Sequence, residues 1–212
     1  MRPDAPVRVA IADYGAGNLV SIRNALVRLG AEVRVATEAD GLRDADLIVV
    51  PGVGASAPAM ARLRRRGLAE AIPEALRTGA WYLGVCLGMQ LLFDRSEEDG
   101  ARMLGILSGE VRRLTGAPRL PHIGWNQLEA VRPDPVLAGL PDHAPAYFVH
   151  SYAPIPEDPA VIVTRTVHGD PFTSLVASGR IVGCQFHPER SGADGLRILG
   201  NVLGLVAADR GR

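Results

Sequence analysis

The stretch WYLGVCLGMQLLF, residues 81–93, places a single cysteine two positions from a glycine on either side, inside an apolar run. A strand gains no packing from Gly84, and a glycine in a helix interior at Gly88 costs about 1 kcal/mol relative to alanine. The pattern therefore indicates a requirement other than stability. It is typical of a buried strand that turns sharply into a helix, with Cys86 at the turn.

The residues before this stretch alternate between strand and helix patterns. Short β-branched runs predict buried strands at 7–14, 32–36 and 46–50, the last ending at the turn PGVGA (51–55). Helical spacing of apolar residues predicts a helix at 19–30 and another over 57–78, interrupted near Arg66 and Gly67. The alternation predicts an α/β fold with a doubly wound, mostly parallel sheet.

The second half has a different pattern, in which short strand-like runs are separated by Pro- and Gly-rich turns. We expect antiparallel additions to the sheet, including a hairpin at 177–181, and a helix at 193–207 that ends the fold. The strand-like runs lie at 109–114, 126–131, 146–152, 161–167, 173–178 and 180–186. No linker separates the halves, so residues 1–212 are predicted to form one domain.

Composition narrows the possible partners and the cellular location. The chain has 212 residues, 47% hydrophobic and 22% charged, with a formal net charge of zero. This balance favours neither nucleic acid nor an anionic membrane as a partner, and the arginines at 62–66 are expected to form a solvated helix face. There is no signal peptide pattern and no apolar run of about 18 residues. Two cysteines make no disulfide framework, so we expect a cytoplasmic protein.

Cys86 is a candidate nucleophile. A cysteine at a strand–turn–helix junction stands above the sheet, where the dipole of the following helix favours the thiolate. The backbone N–H of Leu87 would then be one donor to an oxyanion. The alternative is that Cys86 is a small buried hydrophobic residue, which is the interpretation we prefer for Cys184.

A cysteine nucleophile needs a base, and five histidines are candidates. His187 differs from the others because Glu189 lies two residues away at the end of a predicted strand. Period-two geometry would place both side chains on one face, where the carboxylate can orient the imidazole. The alternative is a surface His-Pro-Glu turn.

A second motif, GAGN (residues 15–18), follows the first strand and resembles part of a dinucleotide-binding fingerprint. The third glycine of that fingerprint is absent, since Val20 occupies its place. Glu38 lies near the distance expected for a carboxylate that binds ribose, so this alternative stays open on sequence alone.

With these residues in place, the sequence resembles the triad (class I) glutamine amidotransferases, through GVCLGMQLLF and GCQFHPE. It resembles most closely the glutaminase subunits of imidazole glycerol phosphate synthases. That closer resemblance rests on DYGAGNLVSIRNAL, PGVGA, CLGMQLLFDRSEE, PHIGWNQL, YFVHSY and FHPERSG, which together run from about residue 11 to residue 192.

The resemblance implies a glutaminase with Cys86 as nucleophile, His187 as acid and base, and Glu189 as the group that orients His187. It further implies an oxyanion hole from Leu87, Gly52 and Val53, completed by rearrangement of the 51–54 loop when the partner is engaged. The residues implied to hold glutamine are Gln90, Ser151 and Tyr152. No metal or organic cofactor is implied.

The implied partner is a (β/α)8-barrel synthase that receives ammonia and makes imidazole glycerol phosphate and an aminoimidazole carboxamide ribotide in histidine biosynthesis. Asn18, Trp125 and Tyr147 match positions at or near that interface. Three residues depart from the family pattern: His168, Ser56 and Arg190. Alternatives are a glutaminase subunit of another ammonia-channelling enzyme, a docking subunit without activity, and a free-standing cysteine hydrolase of γ-glutamyl bonds, which would need no partner.

Overall fold

The computed structural model describes residues 5–17 and 19–210. Its strands and helices alternate through the first half as the sequence predicts. The strands found among the described residues are β1 (Arg8–Ala12), β2 (Glu32–Ala36), β3 (Leu47–Gly52), β4 (Trp81–Cys86), β5 (Arg95–Ser96), β6 (Gly109–Arg113), β7 (His122–Gln127), β8 (Glu129–Ala130), β9 (Pro145–His150), β10 (Tyr152–Pro156), β11 (Ile162–His168), β12 (Asp170–Ser178) and β13 (Ile181–Cys184).

Eight of these strands form the main sheet, in the order β2-β1-β3-β4-β13-β12-β11-β8. The first five run parallel, and β12, β11 and β8 continue the sheet antiparallel. Smaller sheets are formed by β10-β6-β5 and by β7-β9. The α/β fold with a mostly parallel sheet and antiparallel additions is therefore confirmed, as is the hairpin, which closes between Ser178 and Ile181.

Helices cover both faces of the main sheet. They are α1 (Leu19–Arg28), α2 (Ser56–Arg65), α3 (Leu68–Arg77), α4 (Leu87–Gln90) and α5 (Gly192–Asp209). Apolar residues of α1 and α5 pack on one face with Val9, Ile11 and Val49, while those of α2 and α3 pack on the other with Ala10 and Ile48. Because β4 lies between both layers, all six of its residues are buried.

The helix predicted after Cys86 is present and has four residues, because the carbonyls of Leu92 and Phe93 accept hydrogen bonds from the amides of Ile106 and Gly105 instead of from a further helical turn. One predicted element needs correction. The strand predicted at 126–131 is divided between β7, which begins at His122, and the two-residue β8. None of the described helices is long and apolar enough to cross a membrane.

Candidate active site

Cys86 is the last residue of β4 and has an unusual backbone conformation. Its φ is 55° and its ψ is −109°, a region that side chains with a Cβ occupy at a cost of about 1–3 kcal/mol. The turn is made possible by close packing beneath it, since a Cβ at Gly84 would lie 2.5 Å from the carbonyl oxygen of Gly88. The glycines on both sides of the cysteine therefore serve the turn.

His187 lies close to this turn because β13 pairs with β4 in parallel, so that both strands end at the same edge of the sheet. The Nδ1 atom of His187 is 2.9 Å from Oε1 of Glu189, and both side chains are buried. The predicted pair is present, but the predicted strand geometry is wrong: β13 ends at Cys184, and Pro188–Arg190 form a 3-10 turn with His187 at its start. The turn, and not a strand face, brings the two side chains together.

Backbone hydrogen bonds hold this turn in place. The N–H of His187 donates to the carbonyl of Tyr147 at 2.9 Å. The hydroxyl of Ser191 donates to the carbonyl of His187 at 2.7 Å and accepts from the N–H of Tyr147 at 2.9 Å. The histidine is therefore fixed both to β9 and to the start of α5.

The electrostatics of the site favour the protonated, positively charged form of His187. Burial lowers the pKa of His187, but hydrogen bonding and negative charge from Cys86 and from Glu189 outweigh it and raise the pKa to about 10. The Nε2 atom of His187 is buried, and among the described residues it has no hydrogen bond of ordinary length. An imidazolium whose Nε2 proton is not otherwise used is suited to stabilise a thiolate and then to transfer that proton.

A buried glutamine, Gln185, contacts the sulfur and is in turn hydrogen-bonded to a second buried glutamine, Gln90. Nε2 of Gln185 donates to Sγ of Cys86 at 3.7 Å, and Oε1 of Gln185 accepts from Nε2 of Gln90 at 3.1 Å. Gln90 was predicted as a substrate-binding residue, whereas Gln185 was missed. The available signal was its place in CQFHPE, two residues before His187.

The last residue of β3, Gly52, and the next residue, Val53, are the two predicted oxyanion donors outside α4. Gly52 pairs with Cys86 in the register of β3 and β4, and the side chain of Val53 is exposed. The hydroxyl of the fully buried Tyr14 donates to the carbonyl of Pro51 at 2.8 Å, which fixes the end of β3. Leu87 begins α4, so its N–H has no acceptor within the helix.

The second glycine of the GAGN motif packs against the end of β3, and the first contacts arginine side chains. A Cβ at Gly17 would lie 3.4 Å from the backbone of Gly52, and the carbonyl of Gly15 accepts from Arg62 at 3.0 Å. The glycine at position 17 therefore allows the motif to approach the end of β3. This packing explains the motif without the dinucleotide that was kept as an alternative.

The remaining predicted residues lie around the same edge. The carbonyl of Tyr152 accepts from Gln90 at 2.8 Å, and the carbonyl of the half-buried Ser151 accepts from the amide of Leu114. Trp125 is 57% exposed and meets Tyr147 edge to face, with ring centroids 6.1 Å apart. Asn18 lies outside the described residues.

The departures from the family pattern have distinct local contacts. The guanidinium of Arg190 lies 4.4 Å from the centre of the Tyr147 ring, a cation–π contact within the chain. His168 stacks on His122 with centroids 4.0 Å apart. Ser56 is fully buried, and its hydroxyl has no hydrogen-bond partner within residues 5–17 and 19–210. Cys184 is buried in the core as predicted.

Among residues 5–17 and 19–210, no group of three or more His, Cys, Asp or Glu side chains is placed to hold a metal ion. The arrangement of a buried thiol, imidazole and carboxylate is suited to acyl transfer by a cysteine nucleophile.

Sequence comparison gives one family and a group of close relatives. Residues 10–203 match the model of the family described as glutamine amidotransferase class-I. The imidazole glycerol phosphate synthase subunit HisH of Xylella fastidiosa (strain Temecula1) is 50% identical over 94% of this chain and 98% of its own length. The HisH subunits of Synechococcus sp. (strain JA-3-3Ab) and Dehalococcoides mccartyi are 47% and 42% identical, each over 95% of this chain, and the matches cover 95% and 99% of their own lengths.

Solved structures share the fold at low sequence identity. The structure of PurLQS from Thermotoga maritima has a TM-score of 0.73 and 23% identity, and it covers 95% of this chain and 99% of its own. The glutaminase domain of CTPS from Trypanosoma brucei has a TM-score of 0.63 and 16% identity, over 95% of this chain and 94% of its own.

Proposed function

This chain belongs to the class-I glutamine amidotransferases, and we propose that it is the glutaminase subunit of an imidazole glycerol phosphate synthase. The observation that carries the proposal is the buried His187–Glu189 pair beside Cys86, in a chain that is 42–50% identical to HisH subunits over nearly its full length. We further infer that residues 1–212 act as one domain in the cytoplasm, without a metal or an organic cofactor.

The first half of the reaction is the acylation of Cys86. The thiolate attacks the side-chain amide carbon of glutamine, a C–S bond forms, and the carbonyl electron pair moves onto oxygen. Collapse of this intermediate breaks the C–N bond, while His187 transfers its Nε2 proton to the leaving nitrogen, which departs as ammonia. Glu189 holds Nδ1 and stabilises the imidazolium before this transfer.

The second half releases glutamate. His187, now neutral, takes a proton from water as the oxygen attacks the thioester carbon, and the C–S bond breaks to regenerate the thiolate–imidazolium pair. The net change is glutamine plus water to glutamate plus ammonia. Gln90 and the backbone at Ser151 and Tyr152 hold the substrate during both halves.

The oxyanion of both halves needs donors that point at the former carbonyl oxygen. The N–H of Leu87 is one, and the N–H groups of Gly52 and Val53 supply the others when the 51–54 loop turns toward the site. The exposed side chain of Val53 and the left-handed Gly54, with a φ of 92°, support a loop that can change its backbone orientation.

Ammonia formed here passes to a (β/α)8-barrel synthase, which uses it to form imidazole glycerol phosphate and an aminoimidazole carboxamide ribotide. Trp125, Tyr147 and Asn18 contribute to the contact with this partner. The exposed ring of Trp125 supports this assignment, because aromatic residues are enriched in the buried centres of interfaces. Tyr147 supports it because its backbone carbonyl accepts a hydrogen bond from the N–H of His187, so that the base is held by the strand that carries Tyr147.

Glutamate release from glutamine tests the function. We would measure it for the purified chain alone, then with the barrel synthase and a nucleotide substrate analogue. Low activity alone and a large rise in the complex are expected. Full activity alone would instead indicate a free-standing γ-glutamyl hydrolase, and a rise only with another ammonia-using synthase would indicate a different channelling enzyme. No activity under any condition would exclude a glutaminase.

A further inference from the structure

A continuous line of buried hydrogen bonds leads away from the Cys86 sulfur. Gln185, which is fully buried, donates from Nε2 to Sγ of Cys86 and accepts at Oε1 from Nε2 of Gln90. Gln90 also donates to the carbonyl of Tyr152 at 2.8 Å. The two carboxamides therefore connect the sulfur to the backbone of β10.

The orientation of both carboxamides is fixed by the carbonyl of Tyr152, which can only accept. The atom of Gln90 that faces it must be the NH2 group, and the same NH2 group meets Gln185. Gln185 must therefore present its oxygen to Gln90, and its own NH2 group is left to face Sγ of Cys86. A flipped amide at either glutamine would place two donors or two acceptors against each other.

The hydrogen bonds continue from the Tyr152 carbonyl through His150 and His122. Asn126 donates from Nδ2 to the carbonyl of Val167 at 2.9 Å and lies 3.3 Å from Nε2 of His122. Nδ1 of His122 lies 3.4 Å from Nε2 of His150, and Nδ1 of His150 lies 2.9 Å from the carbonyl of Tyr152.

Only one assignment of protons satisfies every contact in this second part. Because Asn126 donates, Nε2 of His122 accepts and its Nδ1 carries the proton; Nε2 of His150 then accepts and its Nδ1 carries the proton. Both rings must be neutral for this order to hold. Burial lowers the pKa of His150 to about 3 and that of His122 to about 4, with further lowering by the other histidines, which keeps them neutral.

We propose that Gln185 stabilises the Cys86 thiolate through its NH2 group, and that His150 and His122 are positioning residues that hold this carboxamide in the donating orientation through Tyr152 and Gln90. The proposal rests on the proposed glutaminase function and adds to its triad a hydrogen-bond donor to the Cys86 sulfur. It also connects β7, the strand of the exposed Trp125, to the nucleophile.

Two contacts at the Cys86 sulfur favour different forms of the side chain. The carbonyl of Val149 favours the thiol, and the NH2 group of Gln185 favours the thiolate. The carbonyl of Val149 lies 3.9 Å from Sγ and can accept from a thiol, so it favours the protonated form of Cys86. The NH2 group of Gln185 favours the thiolate, because a donor to an anion is stronger than a donor to a neutral sulfur. Loss of Gln185 would therefore shift the balance toward the thiol.

The decisive experiment measures the rate of Cys86 alkylation by iodoacetamide against pH, in the full chain with Cys184→Ala as background. We expect Gln185→Met, which is similar in shape and cannot donate, to lower the alkylation rate at neutral pH by about ten- to a hundredfold and to move its midpoint to higher pH. Gln185→Glu should act in the same direction and covers the case in which Gln185→Met does not fold.

The matched control is Ser174→Ala, which removes a buried hydrogen bond of 2.7 Å to Thr164 on the neighbouring strands and leaves the line intact. Its alkylation curve should overlay that of the parent chain. Overlaying curves for the Gln185 variants as well would overturn the proposal. Because alkylation needs no glutamine turnover, this result is independent of whether the chain proves to be a glutaminase.

The histidines are tested by variants that separate their two nitrogens. His150→Leu removes the donor to Tyr152, whereas His150→Asn places an NH2 group near the former Nδ1. In the complex with the synthase, His150→Leu should raise KM for glutamine about tenfold by releasing the Tyr152 carbonyl that orients Gln90, and His150→Asn should recover most of this loss. Equal KM values for the two variants would show that the histidine acts only in packing.

Discussion

Gly88 lies directly against the carbonyl of Val50, so closely that a Cβ at position 88 would be 1.7 Å from that oxygen. This contact places α4 on β3 without any side chain between them. It therefore fixes how closely the turn at Cys86 approaches β3. It also brings the N–H of Leu87 to the edge of the sheet where β3 ends at Gly52. The glycine that a helix would ordinarily avoid is needed for the position of the nucleophile.

Replacement of Gly88 by alanine is expected to destabilise the chain by at least about 2 kcal/mol, because the backbone of β3 or α4 must move. Gly204 is the matched control: it lies in α5 with nothing near its missing Cβ, so Gly204→Ala should stabilise by about 0.5–1 kcal/mol through helix propensity. Urea unfolding of both variants measures the difference. Equal stability of the two would contradict the packing argument.

The sequence predicts the elements that depend on a local residue pattern. It does not predict the features that depend on contacts between residues far apart in the chain. The strands before Cys86 and the break at Arg66 and Gly67 follow from periodicity and glycine placement. The short length of α4 does not, because the carbonyls of Leu92 and Phe93, which follow it, accept from the amides of Ile106 and Gly105. Gln185 meets Gln90 across 95 positions, and no local pattern reports such a contact.

The same limit applies to the predicted pair at His187. The residue types and their spacing were sufficient to select His187 and Glu189 among the candidates. The reason for their contact was wrong, because proline at 188 begins a 3-10 turn after β13 has ended. A histidine and a carboxylate two residues apart can thus meet by more than one backbone path.

Cys86→Ala should abolish glutamine-dependent synthesis in the complex with the barrel synthase, because Cys184, the other cysteine of the sequence, is buried in the core. Ammonia-dependent synthesis should persist, since the partner carries that chemistry. Cys184→Ala is the control and should retain glutamine turnover, because burial in the core raises the pKa of the Cys184 thiol and keeps it unreactive. Glutamate release and product formation are measured side by side. Glutamine turnover in the Cys86 variant would disprove the nucleophile assignment.

Glu189→Gln should lower kcat for glutamine by about 10²- to 10⁴-fold while changing KM little. The amide oxygen can still accept from Nδ1, but the negative charge that helps to raise the pKa of His187 is lost, so this pKa should fall toward its ordinary value. The high-pH part of the alkylation profile of Cys86, where His187 loses its proton, reports this fall in pKa. Glu110→Gln, which breaks an exposed ion pair with Arg95, should leave both profiles unchanged.

The buried histidine at position 150 should make the chain less stable as the pH falls. Burial lowers the pKa of His150 to about 3 from the ordinary 6.5; the Tyr152 carbonyl opposes this, and His122, His168 and His187 add to it. The pKa of His150 is lower in the folded chain than in the unfolded chain. At pH values between about 3 and 6.5, therefore, only the unfolded chain takes up this proton. The contribution of His150 to the free energy of unfolding is complete above pH 6.5. Below that pH it is lost progressively, by up to about 1.4 kcal/mol per pH unit.

Urea unfolding at a series of pH values from 7.5 to 5 isolates this effect when it is compared between the parent chain and His150→Asn, which cannot take up the proton. The parent should lose about 2 kcal/mol more than the variant by pH 5, because carboxylates titrate equally in both. His143→Asn is the control: this histidine is exposed, and its φ of 58° suits asparagine, so its curve should run parallel to that of the parent. A His150→Asn curve that also runs parallel to the parent would mean that the folded chain accepts the charge, and the neutral chain of hydrogen bonds from Asn126 to Tyr152 would then be wrong.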